Sequence, residues 1–231
     1  MTQRVPGTFS IAVRDRATNT YGAAVTTGTV AVGATCPYVS DSAAVVTQSY
    51  TNARYGREGV SRADDGESLE TVLTDLVSED EYDAYRQVHG VGATSDYAFT
   101  GDACVPWCGS RIGDDYTVAG NMLAGAEVLE ATATAYETAT GDVPDRLVSA
   151  LEAGTAAGGD DRGELSAALL VAAPESRFSH NLRVDYSETP VSDLRGLLTA
   201  ARGEGDRLQA GADDAFDGDY PPEILAFDVK Y

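Results

Sequence analysis

Lysine is nearly missing from this chain: only Lys230 carries an ε-ammonium, and 37 Asp and Glu face 16 Lys and Arg. A formal charge of −21 repels nucleic-acid phosphates and anionic membrane surfaces, so neither is expected as a partner. The acids are scattered (Asp64-Asp65, Glu79 to Glu81, Asp114-Asp115, Asp160-Asp161, Asp213-Asp214), the pattern of a halophilic, solvated surface. Apolar periodicity persists through most of the chain, which excludes a disordered acidic protein. Cysteine is scarce as well. Three residues, Cys36, Cys104 and Cys108, are too few for a disulfide framework and fit a reducing compartment. A metal site begun by Cys104 and Cys108 needs two further ligands, with only Cys36, His89 and His180 as soft or imidazole candidates, so no metal or cofactor is expected. No window approaches the roughly 18 apolar residues of a membrane span, and the opening MTQRVPG has no apolar leader core. A soluble, cytoplasmic protein is the expectation.

What is present is enough for one globular domain: 231 residues, 43% of them hydrophobic. Strands are expected at Thr8 to Val13 and Tyr21 to Thr27 around the polar turn from Asp15 to Thr20, and at Ala43 to Ser49. Gly56 to Ser78 carries helical spacing, with Leu69, Val72, Leu73 and Leu76 on one face and Ser68 as cap. Strands resume at 87–94, 97–100 and 116–119. Helices are expected over 123–138 and 143–156, strands over 166–172 and 181–186, and a last helix over 191–202. Blocks of strands alternating with paired helices predict an α+β domain with antiparallel sheets. Residues 1–7 read as a leader or propeptide-like segment, 8–202 as the domain, and 203–231 as an acidic, Gly-rich, loosely held tail.

Thr8, directly after Pro6-Gly7, has two readings. It is a half-buried strand residue following a turn, or it is a nucleophile awaiting exposure as an N-terminus. A threonine hydroxyl needs an adjacent base, and the α-amine of an N-terminal threonine is one, with a reference pKa of about 7.7–8.0. Exposure requires cutting Gly7-Thr8, either by another protease or by attack of the same hydroxyl on the Gly7 carbonyl.

Four stretches taken in order carry a resemblance: Thr8-Phe9-Ser10-Ile11, Thr47-Gln48-Ser49-Tyr50-Thr51-Asn52, Gly120-Asn121-Met122-Leu123-Ala124-Gly125, and Gly158-Gly159-Asp160-Asp161-Arg162-Gly163. Together they resemble the Ntn-hydrolase-like family catalogued as domain of unknown function 1028. The likeness runs from Thr8 to about Leu198 and includes YTNARYGREG, FTGDACVPWCG, LSAALLV and LRVDYSETPVSDLRGLL. It implies a four-layer αββα sandwich whose first strand begins with the nucleophile, hydrolysis of amide-like C–N bonds in a small substrate, and, by analogy with other flat αββα proteins, a homo-oligomer. Three departures stand out. Seven residues precede Thr8, where members often start Met-Thr-Phe-Ser. Gly28 stands near a point where members often place a basic or imidazole side chain, and Ser110 where they commonly show histidine.

Further candidates follow. Gln48 and Asn52, read as alternate positions flanking Tyr50 at a strand end, either donate to a substrate carbonyl or satisfy loop backbone. Asn121 is an oxyanion-hole donor or a helix N-cap. Arg162 clamps an anionic substrate or pairs with Asp160, Asp161 or Glu164. His89 reads as a satisfied core or surface residue, and His180 has no evident partner. The expected function is an N-terminal-nucleophile hydrolase with Thr8 and Asn121 catalytic and Gln48, Asn52 and Arg162 binding substrate; the alternative is a non-catalytic scaffold with Gly7-Thr8 uncleaved.

Overall fold

The computed structural model describes residues 7–175 and 177–221. The first six positions of the expected leader and the last ten of the expected tail lie outside the described residues.

The chain opens with the hairpin β1 (Thr8–Asp15) and β2 (Thr20–Thr27), then β3 (Pro37–Val39) and β4 (Ala43–Ser49). Helices α1 (Ala53–Asp64) and α2 (Leu69–Ser78) follow, then β5 (Arg86–Gly92), β6 (Asp96–Thr100), β7 (Gly109–Ile112) and β8 (Tyr116–Asn121). Helices α3 (Glu127–Thr138) and α4 (Val143–Ala156), strands β9 (Ser166–Ala172) and β10 (Asn181–Val184), and helix α5 (Pro190–Phe216) complete it. The strands form two sheets, a six-stranded one ordered β10-β9-β2-β1-β8-β7 and a four-stranded one ordered β3-β4-β5-β6. Every pairing is antiparallel.

Period-two alternation on β1 assigns its side chains to two layers. Phe9, Ile11 and Val13 join Leu129 of α3, Leu147 and Leu151 of α4, and Leu194 and Leu198 of α5 in one apolar cluster. Ala12, Val25 and Leu170 meet Val39, Val46 and Val91 of the other sheet in a second. Val45 and Val88 pack on Tyr55 of α1 and Leu69, Val72, Leu73 and Leu76 of α2 in a third. Fully burying side chains of this size contributes about 1.5–3 kcal/mol each. Helices therefore cover the outer face of each sheet, and the inner faces meet.

Four expectations are corrected. The helical stretch from Gly56 to Ser78 is two helices, broken at Gly66, whose φ of 91° belongs to the left-handed region that a side chain disfavours. The Gly- and Cys-bearing loop contains β7, and the short β3 precedes β4. Helix α3 begins at Glu127, not Leu123. The last helix continues through Phe216, so residues 203–216 are not loose coil. Pro190 sits in its first turn, Val191, Leu194 and Leu198 anchor its first half in the core, and Arg202 reaches Asp142 and Asp145 near α4. Beyond that point it is mostly exposed and rich in helix-forming Ala, Arg, Leu, Glu and Gln, with Gln209 bonded to Asp213 one turn on. Three internal glycines, Gly203, Gly205 and Gly211, at roughly 1 kcal/mol each, do not outweigh that run.

Candidate active site

Thr8 begins β1 between two strand ends, opposite Thr27 of β2 on one side and Asn121 of β8 on the other. It is 5% exposed and Thr27 is 1% exposed. Thr8 Oγ1 lies 3.0 Å from Thr27 Oγ1, and the Thr27 hydroxyl donates to the Gly7 carbonyl oxygen at 2.5 Å. The Gly28 amide donates to the same oxygen at 3.2 Å, the ladder bond that the β1–β2 register predicts.

A buried carboxylate stands behind this junction. Asp160, whose side chain is fully buried, accepts from the Gly28 amide at 2.9 Å and from the Arg162 backbone N, Nε and Nη2 at 3.0, 3.1 and 2.9 Å. A Cβ on Gly7 would lie 2.7 Å from Asp160 Cγ, and one on Gly28 2.5 Å from Asp160 Oδ2 and 3.0 Å from Arg162 Nη2. Both positions must be glycine for Asp160 to approach this closely. The Arg162 guanidinium also stands beside the point where a side chain at position 28 would begin.

Two residues along β1, Ser10 enters a hydrogen-bonded chain between the sheets. Gln87 of β5 donates through Nε2 to the carbonyls of Gly120 and Gly109, at 3.0 and 3.1 Å, and to Thr100 Oγ1 at 2.9 Å. Its Oε1 therefore accepts, from Gln48 Nε2 at 2.8 Å and Asn121 Nδ2 at 3.1 Å. Gln48 Oε1 accepts a hydrogen bond from the Ser10 hydroxyl at 2.6 Å, which makes Ser10 the acceptor from His89 Nε2 at 2.8 Å. His89 Nδ1 then accepts from Thr117 at 2.8 Å. Burial pushes the His89 pKa down to about 3, in keeping with the single neutral tautomer that this chain dictates.

The model for the Family of unknown function (DUF1028) matches residues 8–194. The chain belongs to this family. The DUF1028 match thus starts at Thr8 itself. A DUF1028 protein from Silicibacter pomeroyi, known from a crystal structure, is 31% identical, with 84% of this chain and 86% of that one aligned at a TM-score of 0.79. HslV from Trypanosoma brucei is 11% identical, with 71% of this chain and 99% of that one aligned at a TM-score of 0.44, a likeness too low to carry an argument. No curated protein matches the chain.

Within this DUF1028 chain the candidate residues divide. Thr8, Asn121 and Gln48 come together at one end of the inter-sheet layer. Asn121 is the last residue of β8, not an N-cap, since α3 begins six residues later. Asn52 is elsewhere: β4 ends at Ser49, and Asn52 caps α1 by accepting from the Arg54 amide at 3.0 Å while donating to Asp80 at 2.9 Å. Gln48 and Asn52 thus do not share a strand. Arg162 is held by Asp160 and does not reach out as a free clamp. His180 is buried, and its Nδ1 has no hydrogen-bond partner among the described residues. Cys104 contacts the Arg86 carbonyl at 3.3 Å and Cys108 the Cys104 carbonyl at 3.6 Å. Among the described residues no group of three or more His, Cys, Asp or Glu is placed to hold a metal ion, and no helix is long and apolar enough to cross a membrane.

Sequence reading missed Thr27, Ser10 and Gln87; it named Asp160 as a possible partner of Arg162, which it is, but not its place against Gly7 and Gly28. Alternation along β1 carried a signal for Ser10, and hairpin register one for Thr27; nothing local marked Gln87, or the contact of Asp160 with Gly28. Two surface cavities of about 440 Å³, one beside Arg177 and Leu208 and one beside Thr18 and His180, and one of about 400 Å³ among Tyr50, Tyr82 and Tyr85, are lined by other residues than these.

Proposed function

We propose that this protein is an N-terminal-nucleophile hydrolase of amide-like C–N bonds in a small substrate, built on a four-layer αββα sandwich and active once Thr8 has become an N-terminus. The observation that carries this reading is the buried set of Thr8 Oγ1, Thr27 Oγ1 and the Gly7 carbonyl at the first residue of β1, where the DUF1028 match also begins. Helices outside each of two facing sheets support the layering. Three free cysteines among the described residues fit a cytoplasmic setting.

In this reading the freed α-amine of Thr8, with a reference pKa of about 7.7–8.0, takes the proton from its own hydroxyl as the oxygen attacks a substrate carbonyl. Asn121, anchored through Nδ2 to Gln87 and paired in register with Thr8, is the oxyanion donor. Gln48 acts through Gln87, not on substrate. Asn52 belongs to the Asp80 cluster, and Arg162 to the Asp160 pair that shapes Gly7 and Gly28, so an anionic substrate is not required. Base, nucleophile and donor all come from the chain, and the chemistry needs no cofactor.

The test is covalent labelling of a chain beginning at Thr8 with a threonine-reactive β-lactone, followed by turnover of a panel of small amides and N-acylated amino acids. Thr8→Ala is expected to lose both and Thr8→Ser to keep part of each. Labelling that persists unchanged in Thr8→Ala moves the nucleophile elsewhere. No labelling of the Thr8-starting chain at any salt concentration favours a non-catalytic scaffold.

A further inference from the structure

From the hydrogen bonds at the Gly7-Thr8 junction we infer that Thr27 is a catalytic residue for scission of that bond by the chain itself, its hydroxyl stabilising the oxyanion formed on the Gly7 carbonyl. The inference rests on the reading of Thr8 as nucleophile and names the group that would release it.

Register alone gives the Gly7 oxygen one donor, Gly28 N at 3.2 Å; the Thr27 hydroxyl is a second, at 2.5 Å, from the adjacent position on β2. A hydroxyl has one proton, and that of Thr27 is directed at Gly7. The 3.0 Å contact between the two threonine oxygens must then have Thr8 as donor, which leaves the Thr8 lone pairs free of Thr27. One buried side chain thus touches both the nucleophile and the carbonyl it would attack. The Thr27 hydroxyl is already aimed before any charge develops, which is what makes such a donor effective, whereas the Gly28 amide is shared with Asp160 Oδ2 at 2.9 Å.

The step balances with water as the one co-reactant. A bond forms between Thr8 Oγ and the Gly7 carbonyl carbon, the Gly7 C–Thr8 N bond breaks, and the Thr8 hydroxyl proton ends on the departing nitrogen. Water then hydrolyses the ester, leaving a Gly7 carboxylate and restoring the Thr8 hydroxyl beside a free α-amine. Thr27 keeps its own proton throughout.

The experiment is cell-free synthesis of the full chain in high salt, with intact mass followed over time. The wild type is expected to lose residues 1–7. Thr27→Val, which keeps the buried shape without the hydroxyl, should cut about 10²–10³-fold more slowly, the usual cost of one oxyanion donor. Thr27→Ser should stay within about ten-fold of wild type, the margin set by keeping that donor, and Thr8→Ala should not cut. Unfolding curves of Thr27→Val check that it folds, and Thr27→Ser keeps the test open where it does not. An uncut wild type, a Thr27→Val chain cut at the wild-type rate, or a Thr8→Ala chain that is still cut overturns the inference. Labelling of a chain made to begin at Thr8 separates the two readings: if it labels while the full chain stays uncut, only the scission inference fails, and if it stays unlabelled while the full chain is cut, only the hydrolase reading fails.

Discussion

Arg86 and Gln87 are neighbours on β5, yet their side chains serve opposite faces of the sheet and two unlike clusters. Gln87 turns inward to Gln48, Asn121 and the Gly120 carbonyl, in a cluster whose hydrogen-bonding side chains are all neutral. Arg86 turns outward to Asp80, which also accepts from Asn52, Tyr55 and the Tyr82 amide. Burial alone would raise the Asp80 carboxyl, but those four donors together hold it at about 2. The inner cluster can be neutral because every donor there finds an amide, hydroxyl or imidazole acceptor, so no ion has to be desolvated. The outer one, at the ends of α1 and α2, retains an ion pair near solvent. Residues that hold the strand end beside Thr8 are thus distinct from residues that hold helices, and Asn52, close to Gln48 in sequence, belongs to the second group.

The largest expected effect falls on the inner cluster. Under the proposed function, Asn121→Ala should lower kcat about 10²–10³-fold in the Thr8-starting chain, with a smaller change in KM, because an oxyanion donor matters most in the transition state. A KM-only effect would move Asn121 from oxyanion donor to substrate binding. Next, Asp80→Ala should destabilise the fold by about 3 kcal/mol in denaturant unfolding, since Arg86 loses its carboxylate and Asn52 and Tyr55 lose their acceptor. Lactone labelling of the folded fraction should not change; if it does, the clusters are coupled and the distinction fails.

A third prediction uses pH. His89 has an ordinary pKa of 6.5 and about 3 in the fold. Between those values the unfolded chain binds the extra proton, so stability is full above about pH 6.5 and falls on acidification, by about 1.4 kcal/mol per pH unit at most. Asp80 is lowered instead, from 3.8 to about 2. Its contribution is present above about pH 4 and lost as pH falls toward 2. His89→Gln should therefore flatten the stability curve between pH 6 and 4, and Asp80→Asn only below 4; His180, also lowered mainly by burial, adds to the same limb as His89 and leaves part of it in His89→Gln. Smallest is the salt effect per added ion. Screening of the −21 charge should raise the melting temperature gradually toward molar salt. The rise should persist in His89→Gln, because salt acts on the exposed charges and not on the neutral cluster around His89.

Local pattern was enough for much of the fold. Turn residues and short apolar runs marked β1, β2, β4 and β9, which are buried on both faces over almost their whole length, and helical spacing marked α3 and α4, each of which buries one face. The exceptions have separate causes. Strands β3 and β7 are three and four residues long, too short for a period to appear. Helix α5 runs through glycines that in isolation signal a loop. At the site, Thr8 and Asn121 were legible as residues, but what each touches was not. Thr27 lies 19 residues from Thr8, Gln87 34 from Asn121 and Asp160 132 from Gly28, and only strand pairing and sheet stacking close those gaps. By itself the sequence determined the antiparallel α+β plan, the acidic surface and a threonine at the start of a strand, since each depends on composition or on neighbours a few residues away. Tertiary structure alone decided that the Thr27 hydroxyl lies on the Gly7 carbonyl, that Asp160 excludes side chains at Gly7 and Gly28, and that His89 is neutral. Those outcomes depend on which distant groups are brought within hydrogen-bonding distance once water is expelled, and no local spacing encodes that.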